Sequence, residues 1–243
     1  LEPLLTATLN HQEHSACQYL QDWNGQFSTD SIGACVFFVL RQTLCHEVFM
    51  QILGGPSAKR FTHGQRAIPR LDKMLLDEHD PLRDLIRART GRALNQWIVE
   101  AFRAAVKQLE DALGADPAQW QWGNLHRVRL GSVLADIPGL RQGWQSLEGP
   151  FPGEANTVSP SIALPDGKKL RAFVGASTRF ICDLANPDEA WFAHSSGPAA
   201  DPASPYFRSL GEQWLQFGNF KSALWQADEV PDVIERFVVN KKH

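Results

Sequence analysis

Apolar residues recur at three- and four-residue steps through the first half of the chain, a spacing that predicts amphipathic helices. The first such run covers residues 1–20, and the Asn-Gly step in "DWNGQFSTD" breaks it. We expect Asp30 to be the N-cap of a second helix over residues 31–53. That helix is predicted to end at Gly54-Gly55-Pro56, which is a strong stop signal.

Two more helices are predicted over residues 70–88 and 91–113, after a polar connector that reaches about Pro69. Gly114 ends the last of these helices, and Asp116-Pro117 begins a short capped turn. One apolar face is expected on the helix over 91–113, formed by Trp97, Ile98, Ala101, Phe102, Ala105, Val106 and Leu109.

After Trp122 the hydrophobic pattern changes to the alternating or short apolar runs that are typical of β-strands. These runs are "HRVRLGSVL", "SIALPDGKKLRAFVG" and "STRFICDL". Pro165-Asp166-Gly167 has the composition of a hairpin turn. "YFRSLGEQWLQFG" predicts a return to helix, with Leu210, Trp214 and Phe217 on one side, and "VPDVIERFVVN" is ambiguous. Helices followed by strands predict an α+β fold with antiparallel strands.

This change of period divides the chain into a mainly helical segment, 1–114, and a strand-rich segment, 115–243. We expect both to be parts of one larger domain. The chain begins "LEPLLTATL", without Met and already inside an apparent helix, so we expect its true start to lie upstream.

The composition is that of a globular protein, with 43% hydrophobic and 21% charged residues among 243. The formal net charge is −3, and acids and bases are mixed along the chain, so no nucleic-acid partner is expected. The longest uninterrupted apolar run, residues 34–40, stops at Arg41 and is too short to span a bilayer. No membrane partner is therefore expected either.

The four cysteines, Cys17, Cys35, Cys45 and Cys182, form no CxxC pair. Small buried thiols are the favoured interpretation, and one disulfide in an oxidising compartment is the alternative.

"HQEHSAC" contains a possible soft-metal site, because His11, His14 and Cys17 are three residues apart on a helix. The order is not HExxH, and no downstream ligand has a matching spacing. A solvated helix face is therefore the better interpretation. In Cys45-His46-Glu47 adjacent helical residues point apart, which makes a shared metal weaker still.

His126, in "WQWGNLHRVRL", is a candidate general base, and a triad with Ser195 and Asp183 can be written. No serine lies in a G-x-S-x-G elbow, and there is neither a P-loop nor a GxGxxG after a strand. The structural alternative is favoured: two tryptophans anchor a helix-to-strand junction, Gly123 permits a tight bend, and His126 bonds to the backbone at the start of a strand.

Four stretches together resemble the penicillin acylase (penicillin amidase) family. They occur in the family's order from about Tyr19 to Phe220, although each is weak alone. The stretches are "YLQDWNGQFSTDSIGACVFFVLRQTL", "WQWGNLHRV", "GPFPGEANTVSPS" and "STRFICDLANPDEAWFAHSSGPAADPASPYFRSLGEQWLQFGNF". The departures are mild: Glu154 stands where the family has Asp, Ser159 where it has Asn, and His194-Ser195-Ser196-Gly197 where Gly-Gln-Ser-Gly is usual.

The resemblance implies an N-terminal nucleophile hydrolase of αββα fold that cleaves itself into α and β subunits. The catalytic serine becomes the first residue of the β subunit, and its own α-amino group acts as the base. An oxyanion hole of backbone N–H and an Asn side chain stabilises the tetrahedral intermediate. A periplasmic or secreted location is implied, and calcium is expected only elsewhere in the full enzyme.

The sequence is thus interpreted as the C-terminal segment of the β subunit of a penicillin-acylase-like amidohydrolase. Leu1 cannot be the nucleophile and no "NWNN" stretch occurs, so no catalytic, cofactor-binding or metal-binding residue is assigned to this chain. We expect the isolated chain to be inactive, and its partners to be the remaining α- and β-subunit portions and a small acyl-amide substrate. The alternative is a structural or binding module that keeps the fold without activity.

Overall fold

The computed structural model describes residues 1–63, 67–137, 139, 144, 147–187, 189–216 and 221–223. Helices occupy most of the first half of the chain, and strands follow, which confirms the predicted α+β class. The helices are α1 (Glu2–Leu5), α2 (His11–Gln21), α3 (Ile32–Leu53), α4 (Gly55–Thr62), α5 (Ile68–Leu76), α6 (Pro81–Thr90), α7 (Leu94–Leu113), α8 (Trp122–Leu125) and α9 (Gly211–Leu215). The strands are β1 (His126–Leu130), β2 (Leu147–Pro150), β3 (Ser161–Asp166), β4 (Lys169–Gly175), β5 (Thr178–Cys182), β6 (Ala190–His194) and β7 (Lys221–Ala223).

The chain forms two compact units. Unit 1 comprises Leu1–Arg129 and Glu148–Ala176, and unit 2 comprises Leu130–Leu147 and Ser177–His243. Of the elements that the structure describes, the long helices and the β3–β4 hairpin belong to unit 1, and the β5–β6 hairpin and α9 belong to unit 2.

The first predicted helix is wrong, because residues 1–20 form two helices. Asn10 lies between the two helices and caps the second. Its side chain accepts a hydrogen bond from the Glu13 backbone N–H (2.9 Å), and the Glu13 carboxylate accepts one from the Asn10 N–H (2.9 Å). This capping box satisfies two backbone donors at the start of α2 and fixes that start at His11.

Helix α3 begins one residue later than predicted, since Ser31 and not Asp30 is its N-cap. The Ser31 hydroxyl accepts from the Ala34 N–H at 3.1 Å. The predicted end at Gly54 is confirmed, and Gly54 has a φ of 74°, which suits glycine. The predicted connector after it is wrong in part, because α4 begins at once with Pro56 in its first turn.

The predicted helix over 70–88 is divided into α5 and α6. Asp80 caps α6 by accepting from the Leu82 N–H at 2.9 Å, and Pro81 occupies the first turn. Gly91 is not the start of α7 but the left-handed C-cap of α6, with a φ of 70°. The predicted apolar face of α7 is confirmed by six buried residues: Trp97, Ala101, Phe102, Ala105, Val106 and Leu109.

Helix α3 lies at the centre of unit 1 and contributes to two apolar clusters. Its first half packs with α2, α7 and Trp122, and its second half packs with α5, α6 and the start of α7. By length and composition alone α3 could also cross a membrane, although Arg41 interrupts its longest apolar run. Within the chain 56% of the apolar window of α3 is buried, as expected of a central core helix.

The sheet of unit 1 has the strand order β2-β1-β4-β3. The predicted hairpin is confirmed: β3 and β4 are antiparallel, and Asp166 pairs with Lys169 around Gly167, whose φ is 62°. The prediction of antiparallel strands is wrong for β1 and β4, which are parallel, with His126 opposite Leu170. Parallel pairing is possible there because a long connection, not a tight turn, separates these two strands.

The sheet of unit 2 has the order β5-β6-β7, and both of its pairs are antiparallel. Strand β6 was not predicted. The predicted helix after Tyr206 is confirmed as the short α9, where Trp214 is buried. Phe217 and "VPDVIERFVVN" lie outside the described residues.

All four cysteines are free. Cys17, Cys35 and Cys45 are buried, as the favoured interpretation predicted, whereas Cys182 is half-buried. Burial raises the pKa of the Cys45 thiol to about 12, which keeps it protonated and unreactive.

Candidate functional site

The segment from Trp120 to Leu130 is fixed to the start of α3. The Trp122 N–H donates to the Ser31 carbonyl at 3.0 Å, and the Gly123 N–H donates to the Thr29 carbonyl at 2.7 Å. A Cβ on residue 123 would lie 2.6 Å from Cβ of Pro150. Glycine is therefore required at this position because Pro150 and Thr29 lie too close for a Cβ, and not because of an unusual φ.

Both tryptophans of this segment are buried and hydrogen-bonded. Trp120 Nε1 donates to the Gly114 carbonyl at 2.8 Å, and Trp122 Nε1 donates to the Gly153 carbonyl at 3.1 Å. The predicted anchoring of the helix-to-strand junction by the tryptophans is confirmed.

His126 begins β1 and is 1% exposed. Its ring stacks on Trp122, with 4.5 Å between centroids and 15° between planes. Nδ1 lies 2.6 Å from the Phe151 carbonyl oxygen, and Nε2 lies 3.1 Å from the Ser161 hydroxyl oxygen. Because a carbonyl oxygen only accepts, Nδ1 must hold the proton, and Nε2 accepts from Ser161. The predicted backbone hydrogen bond of His126 is confirmed.

Burial lowers the pKa of His126 to about 4, although the hydrogen bond to the Phe151 carbonyl acts in the opposite direction. The imidazole is therefore neutral at physiological pH. A neutral imidazole that accepts from a serine hydroxyl resembles the pair used in nucleophilic catalysis.

Two features exclude that use for His126 and Ser161 in this arrangement. Both side chains are 1% exposed, so a substrate has no access to the hydroxyl. The partner of Nδ1 is a backbone carbonyl and not a carboxylate that could stabilise an imidazolium. The pair is a satisfied polar contact inside the core, which is the structural role predicted for His126.

The loop over residues 149–161, which contains Phe151 and Ser161, is itself tightly bonded. The Gly153 N–H donates to the Phe27 carbonyl at 2.8 Å, and Gly153 has a φ of 81°. The Thr157 hydroxyl accepts from the Glu154 N–H at 3.0 Å and lies 2.9 Å from the Glu154 carbonyl oxygen. These bonds hold the loop against His126.

Glu154 is a buried acid in this loop, 2% exposed, and its Oε2 accepts from the Asn156 N–H at 3.0 Å. Nη1 of Arg41, on α3, lies 3.9 Å from Oε1 of Glu154. Nε of Arg41 donates to Oδ1 of Asp72, on α5, at 3.0 Å. One guanidinium thus lies between two carboxylates, which compensates the burial of Glu154.

The other two residues of the conceivable triad lie in unit 2. Asp183 is exposed, and its Oδ1 accepts from the Ala185 N–H at 2.9 Å. Ser195 follows β6, and its N–H donates to the Ser177 carbonyl. Both ring nitrogens of His126 are already bonded within unit 1, so the structure does not support this triad.

The metal-site hypothesis is not supported either. His11 and His14 are exposed on α2, whereas Cys17 is buried, so the three side chains do not share a face. Within the part of the chain that the structure describes, no group of three His, Cys, Asp or Glu side chains could hold a metal ion.

Unit 1 also has a cavity of about 520 Å³ between α3, α7 and the β3–β4 hairpin. Phe38, Leu109, Leu125 and Leu170 are among the apolar residues that line it, and Lys168 lies at its rim, where Nζ donates to the Asp111 carbonyl at 2.7 Å.

Sequence reasoning missed the partners of His126 and Glu154. Ser161 is 35 residues from His126 along the chain, and Arg41 is still farther from Glu154. The available signal was weak: Ser161 occupies an inward position at the start of an alternating strand, and Arg41 interrupts an otherwise apolar helix.

Comparison with known proteins places the chain in a class. The family model described as penicillin amidase matches residues 1–232. The chain belongs to the penicillin amidase family, which confirms the resemblance drawn from the four sequence stretches.

The chain is similar to several bacterial acylases. It is 25% identical over 239 residues to the acyl-homoserine lactone acylase QuiP of Pseudomonas aeruginosa, an alignment that covers 92% of this chain and 28% of that protein. It is 24% identical over 208 residues to the QuiP acylase of Pseudomonas syringae pv. tomato, with 84% of this chain and 25% of that protein covered. The QuiP acylase of Pseudomonas fluorescens is 25% identical over 203 residues, with 81% and 24% covered. The chain therefore spans about a quarter of the length of these relatives.

Proposed function

We propose that this chain is the C-terminal segment of the β subunit of a larger penicillin-amidase-type hydrolase, and that the whole enzyme cleaves the amide bond of N-acyl-homoserine lactones. The family match over residues 1–232 and the names of the acylase relatives support the reaction class. The coverage of only about a quarter of those relatives supports the status of a segment.

The proposed reaction uses a serine that lies outside this chain. Its hydroxyl oxygen attacks the amide carbonyl carbon while its α-amino group takes the proton and passes it to the leaving amine. The acyl group remains on the serine as an ester, and water then releases it as a carboxylic acid. The products are homoserine lactone and a fatty acid.

The observation that supports a structural role for this segment is the complete burial and bonding of His126 and Ser161. This pair is the arrangement in this chain that most resembles catalytic machinery, yet both side chains are closed to solvent and fully bonded. We infer that the segment supports the fold and leaves the chemistry to the rest of the enzyme. In that enzyme its strands would belong to the sheets of an αββα fold.

The test compares two purified proteins, the complete product of the gene and the chain of residues 1–243 alone. Each is incubated with N-acyl-homoserine lactones of several chain lengths and with penicillin G, and the released amine is measured by mass spectrometry. We expect the complete protein to hydrolyse at least one acyl amide and the chain alone to show only the background rate. Hydrolysis by the chain alone would contradict the proposal, as would a complete protein that cleaves no acyl amide, which would favour a non-catalytic module.

Two variants of the complete protein separate support from catalysis. If His126 were a catalytic base, His126→Gln would lower kcat by about 100-fold or more. We expect His126→Gln and Ser161→Ala to leave kcat within a few-fold of the original in protein that remains folded, and to lower Tm. A large loss of kcat at unchanged Tm would contradict the purely structural role assigned to His126 and Ser161.

We further propose a periplasmic or secreted location for the complete protein, maturation by self-cleavage into two subunits, and calcium, if it is bound, in the portion outside this chain. Intact-mass analysis of the native protein tests the maturation directly. Two chains whose masses sum to that of the precursor are expected, and one uncleaved chain is the contrary result.

A further inference from the structure

Strand β5 is at one edge of the sheet of unit 2. It pairs with β6 in an unbroken antiparallel register, from Thr178 opposite His194 to Cys182 opposite Ala190. Among the residues that the structure describes, no strand pairs with its other side. With respect to the described residues the edge is therefore open along the whole strand, and no bulge interrupts the β5–β6 pairing.

The hydrogen bonds next to β5 show which of its backbone groups point outward. The Ser195 N–H donates to the Ser177 carbonyl, and the Asp183 N–H donates to the Glu189 carbonyl, which makes the odd-numbered positions of β5 the hydrogen-bonded ones. In an antiparallel ladder the alternate residues direct their N–H and C=O groups away from the partner. Thr178, Phe180 and Cys182 thus present donors and acceptors to the open edge.

Each face of β5 also carries an apolar side chain that is at least half exposed. Phe180 is 56% exposed on one face, and Ile181 is 50% exposed on the other. Leu184, just beyond the strand, is 89% exposed. Faces of this kind are usual for a strand inside a larger sheet, where other layers cover them.

Strand β5 carries neither a proline nor a β-bulge, two of the features that interrupt pairing at natural sheet edges. Its one charged side chain, Arg179, is drawn inward: the guanidinium lies 4.5 Å from the Trp214 ring centroid and donates to the Trp214 carbonyl at 2.7 Å. Strand β3, the edge strand of unit 1, instead ends in Pro165 and Asp166, which discourage further pairing.

We propose that β5 is an internal strand in the working protein, and that its open edge pairs with a β-strand from the portion of the penicillin amidase polypeptide that this chain does not span. This inference rests on the proposed function only in so far as the chain is a segment of a larger protein. The share of the relatives that lies outside the matched region, about three quarters, supplies ample polypeptide for such a strand and for the layers that cover Phe180 and Ile181.

Residue-resolved amide hydrogen exchange tests the pairing in the complete gene product and in the chain of residues 1–243. In the chain alone we expect the Phe180 and Cys182 amides to exchange freely, and the Arg179 and Ile181 amides to be protected by their bonds to β6. In the complete protein we expect the Phe180 and Cys182 amides to gain at least about 100-fold protection. Burial without strand pairing would not produce this alternation between neighbouring amides.

Three results would overturn the proposal. Phe180 and Cys182 amides that stay unprotected in the complete protein would show that β5 is a true edge. Protection in the chain alone that rises with protein concentration would assign the edge to a second copy. Protection in the monomeric chain that disappears after truncation behind Ala223 would assign it to the chain's own C-terminal residues.

A pair of variants separates backbone pairing from side-chain packing. Phe180→Pro removes the outward N–H and the side chain, whereas Phe180→Ala removes the side chain alone, and neither takes a donor from the β5–β6 ladder. When the chain is co-expressed with the remaining polypeptide, we expect Phe180→Pro to reduce recovery of the complex at least about 10-fold below that of Phe180→Ala. Equal recovery would contradict the pairing. Measuring amide hydrolysis on the same samples distinguishes the two proposals, because a complex that forms without activity contradicts only the proposed reaction.

Discussion

The core around α3 and the β5–β6 hairpin differ in how far their large apolar side chains are buried. Phe102 of α7 and Trp122 are fully buried against α3. On β5, Phe180 and Ile181 are each at least half exposed. Both regions are rich in apolar residues, so composition does not account for the difference.

The difference lies in whether each region contains its own covering layer. Helices α2, α3 and α7 cover one another, and Trp122 closes the contact between this helical layer and β1. The β5–β6 hairpin has α9 near β6, and Trp214 packs against Arg179 of β5. Unit 1 thus has a core that stabilises it internally, whereas β5 keeps exposed apolar side chains that, under the proposal above, other polypeptide would cover.

The largest effect is expected where the burial is complete. Phe102→Ala should lower the free energy of unfolding by about 3–5 kcal/mol, because it removes a fully buried ring and leaves a cavity. Urea unfolding followed by far-UV circular dichroism measures this loss. Phe102→Leu is the matched control, and we expect it to recover most of the stability. A loss below about 1 kcal/mol would mean that the core around α3 is not closed.

The next effect is a pH dependence that arises from His126. Its pKa is about 4 in the folded chain against an ordinary value of 6.5, so between these values the unfolded chain binds the additional proton. The corresponding stability is fully present above pH 6.5 and is lost as the pH falls toward 4. The total is roughly 3 kcal/mol, at about 1.4 kcal/mol per pH unit.

His126→Gln isolates this contribution, because other groups also titrate in acid. The difference in unfolding free energy between the original chain and this variant should shrink by roughly 3 kcal/mol from pH 7 to pH 4. Parallel urea titrations at several pH values measure it. A difference that does not change with pH would show that His126 is accessible to protons in the folded chain.

A smaller effect is expected in the loop that holds His126. Thr157→Val removes the hydroxyl that accepts from the Glu154 N–H at 3.0 Å, and should cost about 1–2 kcal/mol. Thr157→Ser retains the hydroxyl and should cost less than half as much. Equal losses for the two variants would mean that the methyl group, and not the hydrogen bond, stabilises the loop.

The smallest effect is expected on β5. Phe180→Ala should change the unfolding free energy of the chain of residues 1–243 by no more than about 0.5 kcal/mol, because the ring is already more than half exposed. This is the substitution made at Phe102, so the two measurements compare the regions directly. A cost above about 2 kcal/mol at Phe180 would contradict the contrast between them.

The sequence allowed the long helices to be predicted because their apolar spacing is strong, and α7 has the predicted face. The sequence-based predictions were least accurate at the ends of the helices. Asn10 and Asp80 interrupt apparently continuous helices by capping, since a polar side chain that bonds a backbone N–H outweighs a favourable apolar period. Gly91 was assigned to the start of a helix although it ends the preceding one.

The sheet and the candidate site depended on contacts between distant parts of the chain. The parallel pairing of β1 with β4 and the hydrogen bond from Ser161 to His126 leave no local pattern, because neither partner constrains the spacing of the other. The character of His126 was nevertheless predictable in kind. A histidine beside tryptophans at a strand start, with no serine in a nucleophile motif, is more often a core residue than a base.

The central position of α3 has a consequence for cooperativity. Its 22 residues extend about 33 Å, and both apolar clusters of unit 1 contain residues from it. Neither cluster can melt without removing a wall of the other, so the two should unfold in one calorimetric transition with equal van't Hoff and calorimetric enthalpies. Because one helix joins the two clusters, unit 1 should behave as a single cooperative unfolding unit. Other segments of the polypeptide could then assemble on a unit that is already folded.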